Sequence, residues 1–354
     1  MDIEQEEIYV FCHSLPKVEL HAHLNTSYSR QTLEELMDLK GGSEGIEEMH
    51  ISSNKDIDES FTFFTKIQKL VTTKEAVYLL TRRVIEEFAQ DNVKYLELRS
   101  TPKEIPETGM TRELYMRTMI DAVKDCQKEG LDIVVRLLVS IDRRHGTNIA
   151  EITIELAEKL MQEEEGLVIG IDVSGDPKVG DATDLIPVLI EAGKRNLKLA
   201  LHLAELPLYA ETRNVLKACC QDNSFPVRIG HGTYLHRSDQ QEKSSENEME
   251  DLVLQKRIPL EACITSNLRT MTVDSVEKHH FKYWYDKDHP IVICTDGKGV
   301  YNTSLTQEYV TAATVFNLNK EKIKAYIEKT IDCIFEGDVI KEKLRQKLRD
   351  IPIK

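Results

Sequence analysis

Eight runs of apolar residues punctuate the chain, at 18–20, 93–98, 133–138, 168–173, 197–201, 227–230, 258–264 and 291–294. Counting from Val168, Leu197, Val227, Ile258 and Ile291, the starts are 29, 30, 31 and 33 residues apart. Each interval holds one strand, one helix and two loops. Between the runs, apolar residues recur at three and four spacing over 74–90, 112–129, 149–161 and 184–192, the period of a helix with one buried face. Strands alternating with such helices indicate βαβ units and a parallel sheet. Eight units suggest a closed (β/α)8 TIM barrel. The first interval, from Leu20 to Val93, is 73 residues. It requires extra helices inserted after the first strand, and such insertions lie over the catalytic face of a barrel. Residues 30–75 are therefore expected to help cover a substrate. The charged stretch 237–250 reads as a solvated loop, and the tail 320–354 as polar helix packed on the barrel's outside. With no internal repeat or low-complexity tract, residues 1–354 read as a single barrel domain.

Composition narrows the possible partners. The 354 residues suit one α/β barrel, and 41% hydrophobic residues suffice for a large core. With 61 acidic against 46 basic residues the net charge is −15. A chain without a dense basic stripe is a poor binder of a nucleic acid polymer, because phosphate contacts dominate such binding. The charge leaves room for a single small anion held by local residues. No stretch approaches the ~18 apolar residues of a membrane span, and the acidic N-terminus lacks a signal-peptide pattern. The seven cysteines include no C-x-x-C, and Cys219-Cys220 are adjacent, which reads as reduced thiols. These features set the expectation of a cytoplasmic, monomeric protein with no membrane association.

The candidate chemistry sits where the apolar runs end. Barrel enzymes carry their reacting groups at the carboxyl ends of the strands. The first run is followed by His21, His23 and Asn25, and the second by Arg99, Ser100, Thr101, Pro102 and Lys103. Asp142 and Arg143 follow the third, and Ser174, Gly175 and Asp176 the fourth. His202 and Glu205 end the fifth, His231 the sixth, Thr265-Ser266-Asn267 the seventh and Asp296 the eighth. Alternate residues of a strand share a face, so His21 and His23 can grip one ion together. Three neutral imidazoles and a carboxylate suit a divalent metal with a position left for water. His13, His50, His279, His280 and His289 carry no such pattern and read as hydrogen-bonded structural residues.

The motifs Leu15-Pro16-Lys17-Val18-Glu19-Leu20-His21-Ala22-His23-Leu24-Asn25, Ser174-Gly175-Asp176, His202-Leu203-Ala204-Glu205, Ile229-Gly230-His231-Gly232, Thr265-Ser266-Asn267 and Cys294-Thr295-Asp296 resemble those of the adenosine-deaminase branch of the metal-dependent amidohydrolases. The resemblance runs from about residue 12 into the C-terminal region. Asn25 and the run Glu97-Leu98-Arg99-Ser100-Thr101-Pro102-Lys103 look most like the subgroup that removes methylamine from N6-methyl-AMP. The H-x-E and P-C-x-x-C pattern of cytidine-type deaminases has no match here.

The resemblance implies one zinc ion per chain, held by His21, His23, His202 and Asp296, with hydroxide adding to carbon 6 of a purine. It implies that His231 orients the water, and that Glu205 protonates N1 through a carboxyl of raised pKa in a water-poor pocket. The substrate contacts it implies are Gly175 to the purine, Asn25 and Asp142 to the ribose side, and Thr101 and Lys103 to the phosphate. His23, Ser100 and Pro102 complete that lining.

Three positions depart from the pattern of the resembled family. Gly297 stands where a second aspartate contacts N7, Thr26 where a glycine follows the first motif, and Gln68 where the subgroup has a histidine over the substrate. A lost hydrogen bond to a charged group costs ~1.5–3 kcal/mol, roughly tenfold to a hundredfold in rate. Three readings follow: a slowed purine-nucleotide, adenosine or AMP deaminase; an aminohydrolase for another purine or pterin-like amine; or a metal-binding protein that no longer turns over. The intact Glu205 argues against the last.

Overall fold

The structure is a computed structural model and describes residues 3–42, 57–220, 225–236 and 246–353. Helix α1 (Ile3–Ser14) leads into β1 (Lys17–His23). Next come α2 (Arg30–Leu39), α3 (Ile57–Gln68) and α4 (Lys74–Gln90), the helices inserted in the long first interval. The beat then runs β2 (Val93–Ser100), α5 (Arg112–Lys128), β3 (Val134–Asp142), α6 (Gly146–Glu163), β4 (Val168–Ser174), α7 (Ile186–Lys194), β5 (Lys198–Leu203), α8 (Tyr209–Cys220) and β6 (Val227–His231). It ends with α9 (Glu246–Lys256), β7 (Leu260–Ala262), α10 (Ile264–Arg269), α11 (Phe281–Asp286), β8 (Ile291–Ile293), α12 (Leu305–Val315), α13 (Lys320–Thr330) and α14 (Asp338–Arg349). The eight strands are parallel and pair in chain order, the arrangement of a (β/α)8 barrel.

Local chemistry sets the helix starts. Ser29, Thr73, Thr111, Ser304 and Asn319 each cap a helix by accepting a backbone N–H three residues on. This is why α4 and α5 begin at Lys74 and Arg112.

The barrel closes at the chemistry itself. The Asp296 N–H donates to His21 O at 2.8 Å, and the His23 N–H donates to Asp296 O at 2.9 Å. One parallel bridge between Ala22 and Asp296 thus joins the end of the last strand to the first. Glu19 reinforces the seam. Its Oε1 accepts the His21 N–H at 2.8 Å, and its Oε2 accepts the Thr295 N–H at 3.0 Å and the Thr295 hydroxyl at 2.8 Å.

Some elements differ from the sequence pattern. The seventh strand is only Leu260–Ala262, and Ile264 already belongs to α10. The Glu308 Oε2 accepts the Thr265 N–H at 3.0 Å and so supports the start of this short helix. Residues 237–245, expected to be a solvated loop, lie outside the described residues, but α9 begins at Glu246 within that stretch because Met249 and Val253 are buried. The tail does more than coat the outside. After α13 the Phe335 N–H donates to Glu97 Oε1 at 3.0 Å, and its ring lies 3.6 Å from the Arg228 guanidinium carbon. Phe335 also packs against Leu138, Ile169 and Ala200, an apolar cluster separate from the main core. All seven cysteines are free and buried. Among the described residues no helix is long and apolar enough to cross a membrane.

Candidate active site

Five of the residues singled out by strand position converge. His21 and His23 come from β1, His202 from β5, His231 ends β6, and Asp296 follows β8. His23 Nε2 is 3.1 Å from His202 Nε2. Asp296 Oδ1 is 3.5 Å from His23 Nε2 and 3.7 Å from His21 Nε2. Both His231 and Asp296 have left-handed backbone, at φ 63° and 61°. Non-glycine residues pay for that conformation and tend to do so at functional sites.

The donors suit a divalent cation. Burial, followed by neighbouring positive charge, holds His21 and His23 well below the ordinary histidine pKa, so both are neutral with a lone pair to offer. His21 Nδ1 donates to Glu261 Oε2 at 2.8 Å. Its Nε2 is then a buried acceptor with no hydrogen-bond partner, aimed at the cluster. His202 Nδ1 lies 3.1 Å from Asp172 Oδ1, and Ser266 Oγ donates to Asp296 Oδ2 at 2.7 Å. His21, His202 and Asp296 are therefore each oriented by a partner on the far side, as metal ligands usually are.

Sequence reasoning missed this supporting layer. Arg99 is fully buried, and it donates to Asp172 Oδ1 and to Glu261 Oε2, each at 2.9 Å. One guanidinium thus bridges the two carboxylates that stand behind His21 and His202. Arg228 donates to Glu261 Oε1 at 2.7 Å and is paired with Glu97. The signal was visible: Glu97, Asp172, Arg228 and Glu261 interrupt apolar runs in which a charge is costly unless paired.

A cleft of about 580 Å³ opens over the cluster, lined by the loops after the strands and by α3. Glu205 is 9% exposed at its base, and burial pushes its carboxyl up to about 7. Its Oε1 is 3.8 Å from His231 Nε2. Asn25 Nδ2 donates to Ser100 Oγ at 3.3 Å and to Tyr115 OH at 3.2 Å, while its Oδ1 is buried without a partner. Ser100 is bonded to Tyr115 OH at 2.8 Å, so its hydroxyl positions Asn25. Thr101, Pro102, Lys103 and Gln68 all line the cleft. Lys103 Nζ donates to Gln68 O at 3.1 Å and Val71 O at 3.3 Å, tying its loop to the end of α3. Asp142 is engaged by Arg144, whose Nε is 2.9 Å from Oδ1. At Gly175, with φ 103°, a Cβ would lie 2.5 Å from Asp142 Oδ1; only glycine fits there, because the aspartate approaches its backbone.

One expected contact, Gly297, is placed differently. Gly297 is buried and does not line the cleft; Thr26 does. A Cβ at 297 would lie 2.7 Å from both Cβ and Oγ1 of Thr26. The two departures noted in the sequence are thus one steric feature, in which the threonine side chain fills the space that Gly297 vacates. Part of the expected cover, residues 43–56, lies outside the described residues, but α3 does form one wall. Of the histidines given no site role, His50 also lies outside. His13, His280 and His289 face backbone carbonyls of Gln90, His231 and Ile258 at 3.1, 2.9 and 2.8 Å.

An eight-stranded parallel barrel with four histidines, an aspartate and a buried glutamic acid at its carboxyl-end mouth has the layout of a hydrolytic deaminase. A family profile described as adenosine deaminase matches residues 16–351, and the chain belongs to that family. Among its relatives, the N6-methyl-AMP deaminase of Danio rerio is 43% identical over 98% of this chain and 97% of its own length. The N6-methyl-AMP deaminase of Homo sapiens is 43% identical over 95% of this chain and 93% of its own. The crystal structure of the Arabidopsis N6-mAMP deaminase matches with a TM-score of 0.84 at 36% identity, covering 97% of this chain and all (100%) of that one. An Arabidopsis relative solved with IMP, at a TM-score of 0.83 and 35% identity, covers 96% of this chain and 97% of that one.

Proposed function

We propose that this protein is a zinc-dependent deaminase of N6-methyl-AMP that consumes one water and releases IMP and methylamine. The observation that carries the reading is Glu205, a buried carboxyl pushed up to about 7 by burial, placed beside the four-donor cluster at the base of the cleft. A carboxyl with that pKa still holds its proton near neutrality, as an acid catalyst requires. The family match and the relatives' names support the same chemistry.

His21, His23, His202 and Asp296 would hold one zinc ion per chain, and the orphaned Nε2 of His21 fits a cation there. When bound, the ion lowers the pKa of a neighbouring water toward ~7, which supplies hydroxide at neutral pH. Glu205 delivers its proton to N1 of the purine as oxygen adds to carbon 6, which relieves the negative charge that the addition places on the ring. His231, 3.8 Å from Glu205, orients the oxygen. The proton of the added hydroxyl then passes to the amine, methylamine leaves as carbon 6 becomes a carbonyl, and the Glu205 carboxylate regains from solvent the proton that the water lost on becoming hydroxide. The Gly175 N–H holds the purine edge, Asn25 Oδ1 accepts a ribose hydroxyl beside Asp142, and Thr101 and Lys103 face the phosphate end.

The test is a panel of N6-methyl-AMP, AMP, adenosine and guanine, with zinc-loaded protein and assays for methylamine and ammonia. Methylamine release from N6-methyl-AMP at the highest kcat/KM supports the reading. Faster ammonia release from another member, or no release from any, refutes it.

A further inference from the structure

Thr265-Ser266-Asn267 and the buried His279 include two residues with no role so far, Asn267 and His279. Both are buried, Asn267 fully. Their hydrogen bonds run in one direction, and the direction is set by a backbone group that can only donate. The Phe281 N–H donates to His279 Nδ1 at 3.1 Å. Burial keeps the His279 ring neutral, with its pKa pushed down to about 3. A neutral imidazole that accepts at Nδ1 carries its proton on Nε2. That Nε2–H donates to Asn267 Oδ1 at 3.1 Å. His279 is locked in plane by His280, whose ring is stacked at 4.2 Å and 26°.

This contact orients the Asn267 amide, which packing alone would not do. With Oδ1 on His279, Nδ2 faces the other way. It donates to Thr272 Oγ1 at 3.0 Å and lies 3.4 Å from both His231 Nδ1 and Thr233 Oγ1. His231 Nδ1 therefore faces an N–H, and accepts. We infer that Asn267 and His279 are positioning residues that hold His231 in its Nε2–H tautomer, so that His231 meets the cleft as a hydrogen-bond donor.

The consequence, which rests on the function proposed above, is a division of labour. His231 donates to the oxygen that adds to carbon 6 and stabilises the charge developing there. It does not take the water's proton, because its only free nitrogen lone pair is occupied by Asn267. The His231 carbonyl accepts from His280 Nε2 at 2.9 Å, which holds the residue at its left-handed φ of 63°.

The experiment is nitrogen-15 NMR on histidine-labelled, metal-loaded protein, with the His231 signals assigned by their loss in His231→Gln. The expected result is a protonated Nε2 and a bare, pyridine-type Nδ1. In Asn267→Asp the carboxylate accepts from both rings, so the proton should move to Nδ1. Metal content should be unchanged, and kcat should fall by about tenfold or more with KM little altered, the usual size for losing an orienting partner. His279→Gln keeps a donor toward Asn267 and should retain the parent tautomer; His279→Leu should mix the two tautomers. These two variants decide the matter if Asn267→Asp does not fold. A proton on Nδ1 in the parent, or an unchanged tautomer in both Asn267→Asp and His279→Leu, overturns the inference. The NMR result needs no turnover, so it separates this failure from a failure of the proposed reaction, which the substrate panel reads.

Discussion

Gly297→Asp tests whether the missing carboxylate is a simple vacancy or half of a packed pair. A Cβ at 297 would sit 2.7 Å from Thr26 Cβ and 2.7 Å from its Oγ1. Neither atom is the free end of a long side chain, so something must shift. Overpacking of this kind costs about 1–3 kcal/mol. Unfolding entropy of ~2.1 cal/mol/K per residue over 354 residues converts this to a fall in Tm of roughly 1–4 °C. The single variant should therefore lose stability and gain no activity, because its side chain cannot enter the cleft past Thr26. Thr26→Gly should itself cost about 1 kcal/mol, through lost packing, the Thr26 Oγ1 contact with His23 O at 3.3 Å and a freer backbone. Combined with Gly297→Asp it should remove the clash, so the double variant should be more stable than the sum of the singles by about 1–3 kcal/mol. It should also show a higher kcat/KM on N6-methyl-AMP than Gly297→Asp alone. The assay is thermal and urea unfolding of the parent, both singles and the double, with kcat/KM for each. Additive stabilities, or a Gly297→Asp single as stable as the parent, would refute the steric argument.

Three further outcomes are expected. Glu205→Gln should retain its metal but lose turnover by at least ~10²; in the parent, the protonated acid is present below about 7 and lost above it, so kcat/KM should decline as pH rises through that value, and near-normal turnover in the variant would remove Glu205 from the mechanism. His21→Ala or Asp296→Ala should bring the metal content of freshly purified protein from about one zinc per chain to near zero by elemental analysis, and a parent free of transition metal would sink the proposed cofactor. Arg99→Met leaves the Asp172 and Glu261 carboxylates without their shared cation; breaking a buried pair this way costs about 3–5 kcal/mol, measurable by urea unfolding, and an unchanged midpoint would show that the network contributes little.

The beat of apolar runs determines the barrel by itself, because a (β/α)8 fold repeats one local pattern and each unit is decided within about thirty residues. The strand-end rule then brought His21, His23, His202, His231 and Asp296 to one mouth without any knowledge of distances. Three things needed the tertiary structure, and each depends on residues far apart in the chain. Arg99 joins Asp172 and Glu261 across 73 and 162 positions; a charge within an apolar run shows that a partner must exist, but not which one. Thr26 and Gly297 look like two losses until their side-chain volumes are found to compete for one space. His279 looks like any buried histidine, and only the direction of its hydrogen bonds, set by a single backbone N–H, connects it to His231. Periodicity reports which face a residue takes. Proton position and steric exclusion are properties of pairs, and pairs are made by folding.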